Sequence, residues 1–427
     1  MFRLPGGGMT DWKTIDRYMI LSSDAHAGAA SGDYRSYLPA TWHAEFDAWL
    51  AAVVNPWVDT NDTRNWDSSD RLAAMESDGV TGEVLFPNTL PPFYDILAHL
   101  SGVPRDREDF ARRWAGLQAH NRWLVNFCNG APTRRRGLIQ LLPNDVDAAV
   151  AEMRWASDHD AIGGVMLPAI APNHPVAPYY HERYEPLWTT AVELGFPIHQ
   201  HQGSGSPDAW PGQDVGRALT FVDHELWTRL TMSHLIVGGV FERHPDLTVV
   251  WTEMPGLRWV AEDLERLTRQ LRIVQSRFAG DPRQLNFSGV FGSETTDRLS
   301  LTPLEYFRRN CYVGASILSP HDVQWINVLG SDRIMWGHDF PHPEGSTDHT
   351  TEALRANFAG FTVDECRDLF AGTAARVYRF DLEALTPIAA RIGPPVALVH
   401  TPLVERPDVP GSPFWDATEL TDVLNRI

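Results

Sequence analysis

The chain has 427 residues, 43% apolar and 21% charged, the profile of a globular protein with a sizeable core in one large domain or a few ordinary ones. Its 36 basic and 55 acidic residues leave a formal charge of −19, so neither nucleic acid nor an anionic membrane surface is an expected partner. No run reaches the roughly 18 consecutive apolar residues that span a bilayer. The start, MFRLPGGGMTDW, lacks the apolar stretch of a secretory signal, and Met9 is an alternative start. Cys128, Cys311 and Cys366 have no metal-type spacing and an odd count, which points to a reducing, cytoplasmic setting.

Taken in order, the chain alternates short apolar runs with helical patterns. YMILSSD, 18–24, reads as a first strand. The polar stretch 27–66 is long for a strand-to-helix loop, and long loops are often functional. A helix is expected over 68–79, a strand over 81–87 and a long amphipathic helix over 105–129, where Trp114, Leu117, His120, Leu124 and Phe127 recur at spacings of three or four. Arg134, Arg135 and Arg136 read as a solvated turn before the third strand, RGLIQLLP. Asn144 is the expected cap of a helix running to about 159, followed by the strand IGGVMLP, a helix over 179–195 ending at Gly195, and the strand FPIHQH.

The Gly/Ser/Pro-rich segment 202–215 reads as a lid or substrate loop. Strands LTVVWTE (247–253), NCYVGAS (310–316) and DRIMWGHD (332–339) follow, with a strong helix after the first and an insertion over 279–308. Eight strands, mostly followed by helices, predict a (β/α)8 barrel over 16–380, with an extension over 1–15, long loop insertions and an extended C-terminal arm over 381–427. A doubly wound open sheet is the rival, but DAHAGAASG after strand one lacks G-x-G-x-x-G spacing.

Ionisable residues gather at the C-terminal ends of these strands, where parallel barrels do their chemistry. Asp24 and His26 end strand one, His199 and His201 strand five, Glu253 strand six and Asp339 strand eight, with His342 just beyond. Residues two apart share a strand face, so D-x-H and H-x-H pairs can each grip one ion. A lone strand histidine is more often a hydrogen-bonded core residue. The coincidence on four strands favours a divalent metal with mixed nitrogen and oxygen ligands, because unpaired buried charge is costly. Zinc, manganese and iron all suit the set, at one or two ions per chain. For His342 the competing reading is a hydrogen bond within its own turn.

Tyr34, Trp57, Arg64 and Trp66 are candidates for substrate contact, because their loop should overhang the barrel mouth. Plain packing is the alternative for the tryptophans, of which the chain has 16. Arg258 could meet a substrate carboxylate or Glu253, or be an ordinary helix-face arginine. His181, Tyr184 and Trp188 at helical spacing, and His234, read as structural.

SSDAHAG, the stretch from Tyr179 to His201, GGVFERHPDLTVVWTEMPGLRWV and DRIMWGHDFPHPEG together resemble the amidohydrolase superfamily over residues 15–380. More narrowly they resemble the branch of aminocarboxymuconate semialdehyde decarboxylase and related decarboxylases and hydrolases. The G-V-F-E-R-x-P-D-L and W-G-x-D-F/Y-P-H blocks are the most specific. The resemblance implies a metal-dependent barrel enzyme. It places the family's H-x-H on Asp24 and His26, its strand-five ligand on His201 and its strand-eight aspartate on Asp339, which would bind metal or hold a water and shuttle its proton. His199 is then an extra histidine, second-metal, substrate-facing or structural. The superfamily's bridging lysine is absent from GGVMLPA, and the decarboxylases' strand-six histidine is replaced by Glu253, a general base or a metal ligand. By analogy the chain is a homodimer.

Two functions compete. One is a metal-dependent hydrolase or decarboxylase of a small organic acid, lactone or amide, with Asp339 orienting an activated water and Glu253 moving protons. The other is a non-haem diiron monooxygenase of a bulky apolar natural-product intermediate, since two histidines with three carboxylates also resemble non-haem iron sites and such an enzyme is known on this fold. A non-catalytic barrel fits less well, because a decayed site should lose its ligands.

Overall fold

The computed structural model describes residues 11–54, 61–172, 174–205, 213–275, 293–316, 318–405 and 407. Eight parallel strands run in chain order around a barrel: β1 (Leu21–Ala27), β2 (Gly82–Pro87), β3 (Arg135–Gln140), β4 (Ile162–Met166), β5 (Ile198–His201), β6 (Val249–Thr252), β7 (Cys311–Ala315) and β8 (Ile334–Trp336). The segment after β8 closes the ring on β1: Asp339 N donates to Asp24 O at 3.0 Å and His26 N to Phe340 O at 2.6 Å. The (β/α)8 expectation is met.

Strand alternation sorts the core into two layers. Val84, Phe86, Leu138, Met166, Val250 and Met335 point inward, and Leu385, Ala389 and Tyr378 from the C-terminal helices pack in the same cluster. Their neighbours Leu85, Ile139, Val165, Trp251 and Ile334 point outward into the cluster shared with the surrounding helices. With both faces covered, nearly every strand residue is buried, as parallel sheets require.

Local chemistry sets the helix ends. Asp67 caps the helix Ser68–Ser77, Asp106 caps Arg107–Asn129, and Gly195 ends Glu185–Leu194 in the left-handed conformation at φ 60°. The cap expected at Asn144 falls one residue later, on Asp145, which accepts from Ala148 N, while Asn144 Nδ2 bonds Pro104 O. The helix expected from 179 begins at Glu185, with a proline in its first turn and a 3-10 turn, Glu182–Tyr184, before it.

Two further expectations change. Arg135 is not in a solvated turn. It opens β3 fully buried, and its Nε lies 3.3 Å from the equally buried Glu83 carboxylate, which also holds Arg71 at 2.6 Å. Arg135 can be buried because a carboxylate on the neighbouring strand compensates it, while Arg134 pairs with Glu76 and Arg136 donates to the backbone carbonyls of Tyr378 and Arg379. The described part of the C-terminal arm packs against the start of the barrel, with Tyr18 N bonding Pro394 O at 2.9 Å and Val396 N bonding Asp16 O at 2.9 Å. Its first part is helical rather than extended, over Leu382–Ile392 and Val396–Val399, because Asp381 caps the first of these and Leu385 and Ala389 recur on its buried face.

Candidate metal centre

Four segments deliver the site. β1 carries a register shift between Ser22 and Ala25, and Asp24 and His26 both lie inside this strand rather than at its end. His201 is the last residue of β5. Glu253 follows β6 and Asp339 follows β8, and both take left-handed backbone, at φ 61° and 55°. That conformation is uncommon for residues with a Cβ, costs energy, and clusters at functional sites. Here it turns two carboxylates back over the barrel mouth.

The donor atoms converge. His26 Nε2 lies 3.4 Å from Asp24 Oδ1, 3.2 Å from Asp339 Oδ1 and 3.2 Å from Glu253 Oε2. His201 Nε2 lies 3.0 Å from the same Glu253 oxygen and 3.9 Å from Asp24 Oδ1. His342 Nδ1 lies 2.9 Å from Asp339 Oδ1 and 3.8 Å from Glu253 Oε2. Two overlapping groups result, Asp24–His26–His201–Glu253 and His26–Glu253–Asp339–His342, each with its ligand atoms within 4.8 Å of one another.

Surrounding groups aim the donors. Pro87 O accepts from His26 Nδ1 at 3.0 Å and Gln202 O from His201 Nδ1 at 3.0 Å. A carbonyl can only accept, so both rings carry their proton on Nδ1 and present Nε2 to the site. Ser316 Oγ donates to Asp24 Oδ2, leaving Oδ1 turned to the histidines. Arg71 Nη1 donates to His26 O at 2.8 Å, and its guanidinium lies 4.1 Å from the Phe340 ring centre.

The electrostatics ask for a cation. Burial opposes a charge on His26, but the carboxylates of Asp24, Asp339 and Glu253 outweigh it and raise its pKa well above the usual value. Burial likewise opposes His342, yet Asp339 brings it up to about 9. Burial would raise Glu253, but His201 and His26 hold it well below the usual carboxylate range. Asp339 is pushed up by burial and then by Glu253. Among the described residues, Asp24 Oδ1 and both Asp339 oxygens are buried without accepting a hydrogen bond. Three buried carboxylates, two of them with unsatisfied oxygens, beside three imidazoles fit a divalent metal ion, which would satisfy these oxygens and replace the protons.

The remaining sequence candidates fall elsewhere. His199 is buried below the site, its Nδ1 on Val165 O at 3.1 Å and its Nε2 on the Tyr378 hydroxyl at 3.0 Å, and burial lowers its pKa to about 3. It packs as a core histidine, which corrects its reading as a substrate contact. Arg258 sits exposed on the helix Arg258–Gln275, paired with Glu262 at 2.7 Å, and does not reach Glu253. Trp66 is half-buried against the main core, and Trp57 lies outside the described residues. Tyr34 is buried with its hydroxyl 2.9 Å from His120 Nδ1.

Sequence reasoning missed Ser316, Asn88, His338 and Arg71. Ser316 ends NCYVGAS and Asn88 follows Phe86 by two, so strand alternation alone would have aimed both inward. His338 Nδ1 is 2.7 Å from Ser22 Oγ, outside both donor groups, with its pKa lowered to about 4 by burial. Nothing in the sequence singled out Arg71.

A family model described as "Amidohydrolase" matches residues 89–380. No curated protein matches the chain. Among solved structures, 5-carboxyvanillate decarboxylase LigW from Sphingomonas paucimobilis is similar at 20% identity, over 85% of this chain and 100% of that one, with a TM-score of 0.59. An amidohydrolase from Mycobacterium avium subsp. paratuberculosis K-10 is similar at 18% identity, over 84% and 99%, with a TM-score of 0.63. A 5-carboxyvanillate decarboxylase from Novosphingobium aromaticivorans, with bound manganese and 3-methoxy-4-hydroxy-5-nitrobenzoic acid, is similar at 16% identity, over 85% and 98%, with a TM-score of 0.60. At these identities the likenesses speak for the fold.

Proposed function

The chain belongs to the amidohydrolase family, and on that premise we propose that it is a metal-dependent decarboxylase or hydrolase of a small organic acid, lactone or amide. The observation that carries this reading is the meeting of Asp24, His26, His201 and Glu253 donor atoms within 4.8 Å at the barrel mouth. A divalent ion there, zinc, manganese or iron, supplies Lewis acidity, drawing electron density from a substrate oxygen and lowering the pKa of water.

The chain's own residues divide the remaining work. Glu253 Oε2, near both His26 and His201 Nε2, acts first as a ligand. Asp339, whose pKa burial raises, accepts a proton and returns it to the reacting carbon or leaving group. The two overlapping groups share His26 and Glu253, and they are read together as the shell of one ion per chain. The manganese of the Novosphingobium neighbour supports a divalent ion of this kind. The diiron oxygenase alternative has no support among the comparisons, which name decarboxylases and amidohydrolases. Among the described residues no helix is long and apolar enough to cross a membrane, and a small-molecule substrate is the proposed partner. The homodimer stays a proposal by family analogy.

The test is metal content per chain by mass spectrometry, followed by a screen of aromatic and aliphatic carboxylates, lactones and amides for carbon dioxide release or hydrolysis. One divalent ion per chain with either activity is the expected result. A chain that takes up no divalent ion would overturn the reading, and two irons with oxygen consumption would replace it. His201→Ala should empty the site and abolish turnover while leaving the fold intact, and full turnover in that variant would refute the assignment.

A further inference from the structure

We infer that His342 is a ligand through Nδ1, and that Asn65 and Asn88 form a relay that fixes its ring for that purpose. The inference rests on the proposed metal reading and goes beyond it by assigning the tautomer, the ligating atom and two positioning residues.

Asp62 O is a backbone carbonyl and can only accept, and Asn65 Nδ2 lies 3.0 Å from it. That contact orients the Asn65 amide, so its Oδ1 faces Asn88 as an acceptor. Asn88 must then present Nδ2, which donates to Asn65 Oδ1 at 2.7 Å. The other side of the Asn88 amide is therefore oxygen, and Asn88 Oδ1 lies 3.2 Å from His342 Nε2. An amide oxygen cannot donate, so His342 carries its proton on Nε2.

Both asparagines are fully buried, and their backbones are tied as well. Asn88 N bonds Ala27 O at 3.0 Å, and Asn65 O accepts from Gly28 N at 3.2 Å. The relay is thus anchored to the two residues that follow His26.

The consequence falls on the other ring nitrogen. That leaves Nδ1 as the nitrogen that faces the site, 2.9 Å from Asp339 Oδ1 and 3.8 Å from Glu253 Oε2. At hydrogen-bond distance from carboxylate oxygens this nitrogen needs something positive between, a proton in the empty site and a metal ion in the loaded one. An ion that displaces that proton would meet Nδ1 and the carboxylate oxygens together. His26 and His201 use the mirror-image arrangement, with Nδ1 held by a carbonyl and Nε2 inward. The structure thus selects opposite nitrogens on different ligands, each by its outer hydrogen bond.

The test uses zinc alone as probe, on the full chain labelled with ¹⁵N-histidine. His342→Ala identifies the His342 signals by their loss. In the zinc-loaded wild type, Nε2 should carry the proton and Nδ1 should show the shift of a metal-bound nitrogen. A His342 ring protonated on Nδ1, or one unmoved by zinc in a chain that binds it, would overturn the inference while sparing the metal reading. A chain that takes up no zinc would overturn both. Asn88→Ala should weaken zinc binding by about tenfold in a chelator competition, the usual scale for an outer-shell partner, and mix the His342 tautomers. Asn65→Ala should act in the same direction through Asn88, and unchanged tautomers in both variants would remove the relay.

Discussion

Arg71→Met tests the buried charges beneath the site. Arg71 is fully buried, with Nε 2.9 Å and Nη2 2.6 Å from Glu83, and Nη1 2.8 Å from His26 O. Removing it strands part of the Glu83 charge and a ligand carbonyl. Loss of one partner of a buried pair costs about 3–5 kcal/mol. Arg135 stays 3.3 Å from Glu83 and offsets part of that, so a loss near the lower end, about 3 kcal/mol, is expected. The second effect is on metal. With His26 less firmly placed, affinity should fall by about tenfold or more. Urea unfolding of the metal-free protein reads the first, and chelator competition the second. Arg135→Met is the control, since Arg135 shares Glu83 but makes no bond to His26. It should destabilise with little change in affinity. If both variants weaken metal binding equally, or Arg71→Met changes neither quantity, the positioning argument fails.

Other expectations follow from the same geometry. His342 has its pKa raised from 6.5 to about 9, so the metal-free protein gains stability from that proton below about pH 6.5 and loses it as pH rises through about 9. The melting temperature of the metal-free form should therefore fall across that window, and metal affinity should rise, because binding displaces the proton. A flat profile would show that this imidazole is not charged in the empty site. Glu253 sits at φ 61°, so Glu253→Gly should be more stable than Glu253→Ala by about 1 kcal/mol, while both lose metal. Equal unfolding midpoints for the two variants would mean that the left-handed backbone is not strained. Tyr378→Phe leaves His199 Nε2 buried without its donor, costing about 1–3 kcal/mol, with metal content unchanged. A loss of metal there would return His199 to the site.

Much of the barrel was legible because buried parallel strands are continuous apolar runs, and the candidate ligands stood out because ionisable residues interrupt them at one end. Asp24, His26, His201, Glu253, Asp339 and His342 could be gathered from strand order alone. What could not be read was whatever depends on a distant partner. Arg135 looks solvated until Glu83 is placed beside it. His199 obeys the same alternation as His201, and only the Tyr378 hydroxyl, far along the chain, shows it to be structural. The left-handed turns at Glu253 and Asp339 leave no local trace, since neither is glycine. Arg258 looked promising by proximity in sequence, but the helix it starts carries it to solvent, where Glu262 one turn on takes its charge. The helix at Leu382–Ile392 was hidden by the prolines around it, one of which, Pro387, lies inside it.

The closing seam between β1 and the segment after β8 gives the metal centre a second meaning. Asp24 and His26 stand on one side of that seam, and Asp339 and His342 on the other, close to opposite ends of the barrel's sequence. Any ion held by both sides is also a cross-link that spans the longest loop in the domain. Its contribution to the folded state grows with that loop, since joining distant positions removes the most freedom from the open chain. The barrel without its ion should behave like a clasp left undone. Amide exchange should be fastest along the β1 and β8 edges and slow opposite them at β4 and β5. Cutting the chain there and joining its old ends would move the seam away from the metal.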